Sequence, residues 1–383
     1  MNSMPIPLLF VDHATDLGGA EYSLLMILEL LDRARWTPHL ACQPGSLAER
    51  AAALGVAVHL TPLPRLRRSL SALGNLAGGA RSLARIARET DASLVIANTV
   101  RAALYAAPAA RWVGTPFVWY WRDFWLGESK PRLRWADTGV KALLGALSAR
   151  IIANSQATGR CQPVQRKTVV VPNGIRMERY DPALDGSPFR RAYGIPDDAP
   201  LVGQVARLAT WKRQDLFLQA LAKIRDEMPE AWGVIVGGPL FEQEAYEAHV
   251  QRLARELGLA DRVVFTGQLD DPGPALAAMD LFLQPGEPEP FGLVHVEAMA
   301  MAKPIVGFAH GALPEIAVDG ETGLLVPPGN VTALAEAALT LLRDPERAHR
   351  MGRAGRQRAL EAFTIERTVG DLEGILSELV PRR

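Results

Sequence analysis

Four charged residues in the second half of this 383-residue chain have the types and spacing to grip a phosphorylated, activated ligand. Arg207 and Lys212 sit in Gly203-Gln204-Val205-Ala206-Arg207-Leu208-Ala209-Thr210-Trp211-Lys212, where an apolar strand ends and a helix is about to begin. Two cations beside a helix N-terminus suit a pyrophosphate, because free amides and aligned dipoles there already favour an anion. A solvated loop charge followed by a helix-capping lysine would read the same way. Glu289 and Glu297 bracket Glu289-Pro290-Phe291-Gly292-Leu293-Val294-His295-Val296-Glu297, a Pro/Gly turn running into an apolar helix. The turn puts Glu289 in a loop at a strand end and Glu297 two turns into the helix. Eight residues nearly repeat one helix face, so both carboxylates are candidates to point at one extended ligand. A carboxylate accepts well from sugar hydroxyls, and Glu297 would suit a ribose as the acidic residue of a dinucleotide fold does. An ordinary helix start, whose dipole favours acids in its first turns, is the plainer account of the same residues.

Such groups need a rigid scaffold, and the apolar pattern supplies one. Short apolar runs alternate with longer helical stretches, which predicts parallel sheets flanked by helices, an α/β class. Strands are expected at 6–11, 39–41, 57–60, 94–97, 117–121 and 150–153, with helices at 20–31, 47–54, 76–89 and 101–107 between them. The rhythm restarts after Pro172, with strands at 201–205, 233–236, 263–266, 281–284, 304–307 and 323–326. Helices there are expected at 214–225, 242–257, 275–279, 294–301 and 331–343. Two such runs predict two doubly wound Rossmann-like domains facing across a cleft, residues 1–172 and 173–364, with a closing helix from about 365 reaching back to the first. Open sheets of this kind bind ligands at the carboxyl ends of their strands.

Composition narrows the class further. Hydrophobic residues make up 48% and charged residues 22%, a globular balance. The most apolar region, 102–121, is broken by Pro108, Arg111 and Pro116, which disfavours a membrane span. No Lys or Arg precedes Arg33, so the start lacks the basic region of a signal peptide. Cys42 and Cys161 are too few for a disulfide framework, which implies a cytoplasmic setting. Net charge is zero, yet residues 1–175 hold 20 Lys and Arg against 11 Asp and Glu, and the remainder 22 against 31. A basic first half favours an anionic acceptor or lipid surface. The segments Pro64-Arg65-Leu66-Arg67-Arg68-Ser69-Leu70 and Lys130-Pro131-Arg132-Leu133-Arg134-Trp135, the latter leading to Lys141, mix cations with apolar residues in the manner of an interfacial stretch. Peripheral association with the inner face of a membrane is the expectation, against the plainer one of a solvated helix face. Nothing points to nucleic acid.

With these residues in place, the chain resembles the retaining family 4 glycosyltransferases of GT-B architecture over nearly its whole length. Matching segments include Leu17-Gly18-Gly19-Ala20-Glu21, Ile152-Ala153-Asn154-Ser155, Val171-Pro172-Asn173-Gly174-Ile175, and the Arg207 to Lys212 loop. They continue through Val236-Gly237-Gly238-Pro239, Val264-Phe265-Thr266-Gly267, Glu289 to Glu297, and Gly311-Ala312-Leu313-Pro314-Glu315. The resemblance implies that Arg207 and Lys212 hold the diphosphate of a UDP- or GDP-linked sugar and stabilise it as it leaves. It implies that Glu289 meets the transferred sugar, that Glu297 meets the ribose, and that amides at Phe291, Gly292 and Leu293 contact sugar and phosphate. Main-chain groups near Thr266 and Gly267 would hold the base, and Gly18 and Gly19 would allow close backbone approach in the first domain. A tight turn into a helix explains the two glycines equally.

One departure from the family pattern stands out. Many members place a histidine at the end of the first-domain strand facing the sugar, whereas this chain reads Phe117-Val118-Trp119-Tyr120-Trp121-Arg122-Asp123. Tyr120 and Arg122 share one strand face, so either is a candidate for that role, with Asp123 orienting Arg122. His13 is a further substitute, although a lone histidine after a strand is more often structural. His310 fits a loop facing the sugar, and His295 occupies a position where an aliphatic residue would pack. No Asp-x-Asp occurs, and Asp270-Asp271 before a proline reads as a turn, so neither metal nor cofactor is expected. The function expected is transfer of a sugar to a glycan or lipid-linked acceptor in surface polysaccharide or lipopolysaccharide assembly. A nucleotide-sugar epimerase and a non-catalytic nucleotide-sugar-binding module are the rivals.

Overall fold

The computed structural model describes residues 4–66, 70–124, 134–239 and 244–380. Arg67, Arg68, Ser69, Lys130, Pro131, Arg132 and Leu133 of the two basic segments lie outside the described residues, as does the expected start of a helix at Glu242. Two compact units divide the chain, Met1–Gly174 with Ile365–Arg383, and Ile175–Thr364.

The first unit is built on β1 (Ile6–Val11), β2 (Trp36–Cys42), β3 (Ala57–Leu60), β4 (Leu94–Ala97), β5 (Phe117–Trp121), β6 (Arg150–Ala153) and β7 (Thr168–Val170). Between them run α1 (Gly19–Leu30), α2 (Ser46–Ala53), α3 (Leu70–Glu89), α4 (Val100–Val113), α5 (Arg134–Leu147) and α6 (Gln156–Arg160). The sheet order is β3-β2-β1-β4-β5-β6-β7, every pair parallel, so the order reverses between β1 and β4. Two differences from the expected elements have local causes. Helix α4 runs through Pro108 to Val113, because Thr99 caps its start, Gly114 closes its end in the left-handed region, and its alanines are buried. Strand β7 is a half-buried edge of three residues, too short to show any alternation.

The second unit repeats the plan with β8 (Leu201–Val205), β9 (Trp232–Val236), β10 (Val263–Phe265), β11 (Leu281–Gln284), β12 (Ile305–Phe308) and β13 (Gly323–Val326). Its helices are α7 (Ser187–Ala192), α8 (Gln214–Glu227), α9 (Glu244–Glu256), α10 (Gly273–Ala278), α11 (Leu293–Ala300), α12 (Leu313–Ile316), α13 (Val331–Leu342) and α14 (Pro345–Ala362). The parallel order is β10-β9-β8-β11-β12-β13, reversing between β8 and β11. Helix α14 is rich in Arg and has a narrow apolar stripe, which hides it from an apolar-run reading; Asp344 caps it and Pro345 starts it.

The last helix, α15 (Ile365–Leu379), belongs to the first unit. There its Ile365, Val369, Leu372 and Leu376 pack with α1, α2 and the side chains Leu8, Phe10, Val118 and Tyr120. The alternate side chains Leu9, Val11, Phe117, Trp119 and Trp121 face α3, α4 and Leu144 of α5. Strands β1 and β5 therefore feed two cores, one on either face of the sheet, which is why they read as continuous apolar runs. Two doubly wound parallel sheets, as expected, are what the chain forms.

Candidate functional site

In the second unit the reversal point between β8 and β11 gathers polar side chains at the carboxyl ends of the strands. The loop after β8 is fixed by glutamines. Gln204 donates to the Lys212 carbonyl at 2.8 Å, and Gln214 donates to the Arg207 carbonyl at 2.9 Å. The loop also closes against Gly237, whose φ is +135° and where a Cβ would meet the Ala206 carbonyl oxygen at 2.2 Å. Only glycine permits that approach. Lys212 is thereby presented to Glu289, with Nζ 2.6 Å from Oε1. Gln284, the last residue of β11, donates to the same oxygen at 2.7 Å. Among the described residues no hydrogen bond reaches Glu289 Oε2 from this chain. The Glu289 backbone is held as well, its carbonyl accepting from Ala312 N at 3.0 Å.

Gly292 precedes α11 with φ +90°, and a Cβ there would lie 2.5 Å from His295 Nδ1 and 2.9 Å from Glu289 Oε2. The open carboxylate oxygen and the imidazole thus share one pocket. His295 is 1% exposed, packs edge-on against Phe282, and neither ring nitrogen has a hydrogen-bond partner among the described residues. Burial pushes its imidazole below the usual range, against the pull of Glu289, so the ring is neutral at neutral pH. Burial also acts to raise Glu289, but the Lys212 ammonium, the neighbouring His295 and the two hydrogen bonds outweigh it and hold the carboxyl at about 2.

Glu297 belongs to a separate cluster. It lies one turn into α11, not two, since the helix starts at Leu293. Burial raises its carboxyl to about 7, a hydrogen bond from the Tyr180 hydroxyl lowers it, and Asp271 raises it further. Tyr180, in a 3-10 turn region with no sequence pattern, was not anticipated, nor were the contacts of Gln284; a polar residue closing an apolar strand was the only signal for the latter. Phe291 is buried edge-on against Phe363, and Leu293 opens α11. Thr266 Oγ1 donates to the Gly267 carbonyl at 2.8 Å, in a turn where Gly267 has φ +70° and its carbonyl accepts from Gly237 N. Arg207 is half-buried in the β8 loop, and His310 stacks edge-on against Phe308.

The first unit has its own polar cluster at its reversal point, between β1 and β4. Asn98 donates to Asp12 at 2.6 Å. Gly18, the cap of α1, donates its amide to Glu21 at 2.8 Å, and beyond Gly19 the space a Cβ would fill is open. Arg122 follows β5 and reaches inward. Its Nη1 donates to Ser23 at 2.7 Å and to Asn173 at 2.9 Å, and its guanidinium lies 3.7 Å from the Tyr120 ring centroid. Asp12, Glu21, Tyr120 and Arg122 are 0%, 7%, 1% and 7% exposed. Ser23 and Asn173 therefore orient Arg122, while Asp123 accepts from the Phe124 amide at 2.6 Å. Burial, helped by Asp12, raises Glu21 to about 7, and burial raises Asp12 as well despite its hydrogen bonds. His13 bonds Thr99 at 2.7 Å, and burial drops its imidazole to about 3.

Known proteins resemble both units. Residues 187–358 match the family described as glycosyl transferases group 1, and residues 17–179 match glycosyltransferase family 4. A GDP-mannose-dependent alpha-(1-6)-phosphatidylinositol monomannoside mannosyltransferase of Mycolicibacterium smegmatis is 37% identical over 202 residues, 50% of this chain and 51% of that protein. The lipopolysaccharide core biosynthesis mannosyltransferase LpsB of Rhizobium meliloti is 30% identical over 246 residues, 63% of this chain and 69% of that protein. The matched stretch spans about half the length of the first of these relatives. Anabaena Alr3699/HepE, solved in complex with UDP and glucose, superimposes with a TM-score of 0.83 at 27% identity, covering 97% of this chain and 99% of that one.

Proposed function

This chain belongs to the family 4 glycosyltransferases, and we propose that it moves a sugar from a nucleoside-diphosphate donor to a glycan or lipid-linked acceptor, with retention of anomeric configuration. The observation that carries this reading is the Lys212–Glu289 pair, which combines a cation fit for phosphate with a carboxylate whose second oxygen is open. Arg207 and Lys212 hold the donor diphosphate. As the bond from the anomeric carbon to the diphosphate breaks, charge develops on the leaving oxygen, and the two cations stabilise it without a metal or other cofactor. Glu289 Oε2 accepts from a hydroxyl of the sugar, and amides at Phe291, Gly292 and Leu293 face sugar and phosphate at the start of α11. Glu297, steadied by Tyr180, accepts from the ribose hydroxyls, and the Thr266–Gly267 turn meets the base. The acceptor oxygen takes the anomeric carbon and gives its proton to the departing diphosphate.

In the first unit Gly18 and Gly19 leave room at the start of α1 and Asp123 serves the acceptor, above the buried Tyr120 and Arg122 that brace this edge; in the second unit His310 serves the sugar. The relatives named for phosphatidylinositol monomannoside and lipopolysaccharide core synthesis support a role in surface-glycan assembly, and with it we place the enzyme in the cytoplasm, peripheral on an anionic membrane face. Incubation with labelled UDP- and GDP-sugars tests the proposal. Transfer or slow hydrolysis is expected, whereas interconversion of the donor would indicate an epimerase, and binding with no turnover a non-catalytic module.

A further inference from the structure

The two helical layers of the first unit differ sharply in what they show to solvent. Helices α1, α2 and α15 show six Asp and Glu, Glu21 being buried, against two Arg. On the other face of the sheet, α3 and α4 expose Arg81, Arg85, Arg88 and Arg111 against Glu89, with Arg101 half-buried and Lys141 and Asp137 of α5 largely covered. Both of those acids are paired one turn away, Glu89 with Arg85 and Asp137 with Lys141.

Exposed apolar side chains follow the same division. Leu73 is 71% exposed, Trp112 51%, Trp135 75% and Leu143 60%, all on α3, α4 or α5. Val140 and Leu147 continue the stripe along α5, whose Leu144 meanwhile faces the core. The opposite layer exposes only Tyr22 among its described large apolar residues. Single exposed apolar residues are ordinary, but their concentration on one basic layer is not.

We propose that the α3–α4–α5 face of the first unit docks on an anionic lipid surface. Trp112 and Trp135 have the amphipathic rings that settle at a membrane interface, Leu73 and Leu143 supply apolar area, and the surrounding arginines meet lipid phosphates. A second copy of the chain would bring cations against cations if the same faces met, which the charge pattern opposes. Among the described residues no helix is long and apolar enough to cross a membrane. The inference names the surface that meets the membrane and rests, for its biological sense, on the lipid-linked acceptor proposed above.

Co-sedimentation of the full chain with vesicles tests it, using phosphatidylcholine alone and phosphatidylcholine with phosphatidylglycerol. Binding is expected only to the anionic vesicles, weakening with salt. The Arg81→Glu/Arg85→Glu double variant should bind at least about tenfold more weakly. Trp135→Ser/Leu143→Ser should weaken binding by about tenfold, and Glu49→Gln/Glu366→Gln on the opposite layer should change nothing. Absence of wild-type binding, equal binding to neutral vesicles, or indifference to the basic and apolar variants would overturn the proposal. So would a lipid-free dimer that Trp135→Ser/Leu143→Ser disperses. Thermal shift with UDP and GDP on the same samples keeps this outcome apart from the donor reading: vesicle binding can fail while nucleotide binding stands.

Discussion

Glu289 and Glu21 are both carboxylates at the carboxyl edge of a parallel sheet, each beside the point where strand order reverses, yet their protons behave oppositely. Glu289 has an ammonium at 2.6 Å and stays ionised, held at about 2. Glu21 is buried beside Asp12, with one arginine between two acids, and is raised to about 7. The same architecture thus yields an ionised carboxylate with an open oxygen in one unit and a proton-holding internal cluster in the other. What differs is the local supply of donors: the Lys212 ammonium and Gln284 converge on Glu289, whereas Arg122 directs Nη1 to Ser23 and Asn173 and bonds neither acid among the described residues. Charge that is compensated and left accessible can meet a ligand, and charge that is buried serves the fold.

Breaking the first half of the comparison should have the largest effect. Glu289→Ala should lower turnover by roughly 100-fold or more, as loss of a group matched to the transition state does, read from initial rates with the preferred nucleotide-sugar. The internal cluster comes next. Arg122→Met leaves Asp12 and Glu21 without their cation and should cost about 3 kcal/mol at pH 8, measured by urea unfolding. At pH 5 the loss should be smaller, because Glu21 then carries a proton. Equal losses at both pH values would place the arginine's contribution in packing alone.

Gly292→Ala should cost about 2 kcal/mol through the strained φ and the crowding of His295 and Glu289, seen as a lower melting temperature. A neutral substitution there would mean the turn before α11 is looser than its geometry. The smallest effect sharpens the contrast. Glu21's folded value lies above its unfolded one, so its contribution to stability is complete below about 4.5 and is lost as pH rises through about 7. Glu21→Gln should flatten that decline by about 1 kcal/mol or more between pH 5 and 8. Glu289 works in the other direction, its contribution being lost only as pH falls from about 4.5 toward 2.

How much of this was legible depends on the length over which a residue acts. Strands such as Ile6–Val11 and Leu281–Gln284 are covered on both faces, so their apolar runs are local signals, and the two parallel sheets were readable from them. The Glu289 to Glu297 segment was readable because a turn, a helix start and two acids lie within nine residues. Tyr180 was not, since its partner Glu297 is far along the chain and nothing near either residue signals the other. His295 was expected to be exchangeable for an aliphatic residue; instead its ring fills the space beside Gly292 and Glu289, a matter of packing that spacing does not carry. Arg122 was expected on one strand face with Tyr120, oriented by Asp123; that its guanidinium lies over Tyr120 and bonds Ser23 and Asn173 instead is decided by tertiary contacts.

The account stands on a cation at Lys212 that meets a donor diphosphate. Calorimetric titration of UDP, GDP and ADP into the wild-type chain and the Lys212→Met variant addresses it most directly. At least one nucleotide should bind the wild type, and the variant should bind it at least about thirtyfold more weakly while remaining folded. Equal affinity in the folded variant, or no binding of any of the three to the wild type, would contradict it.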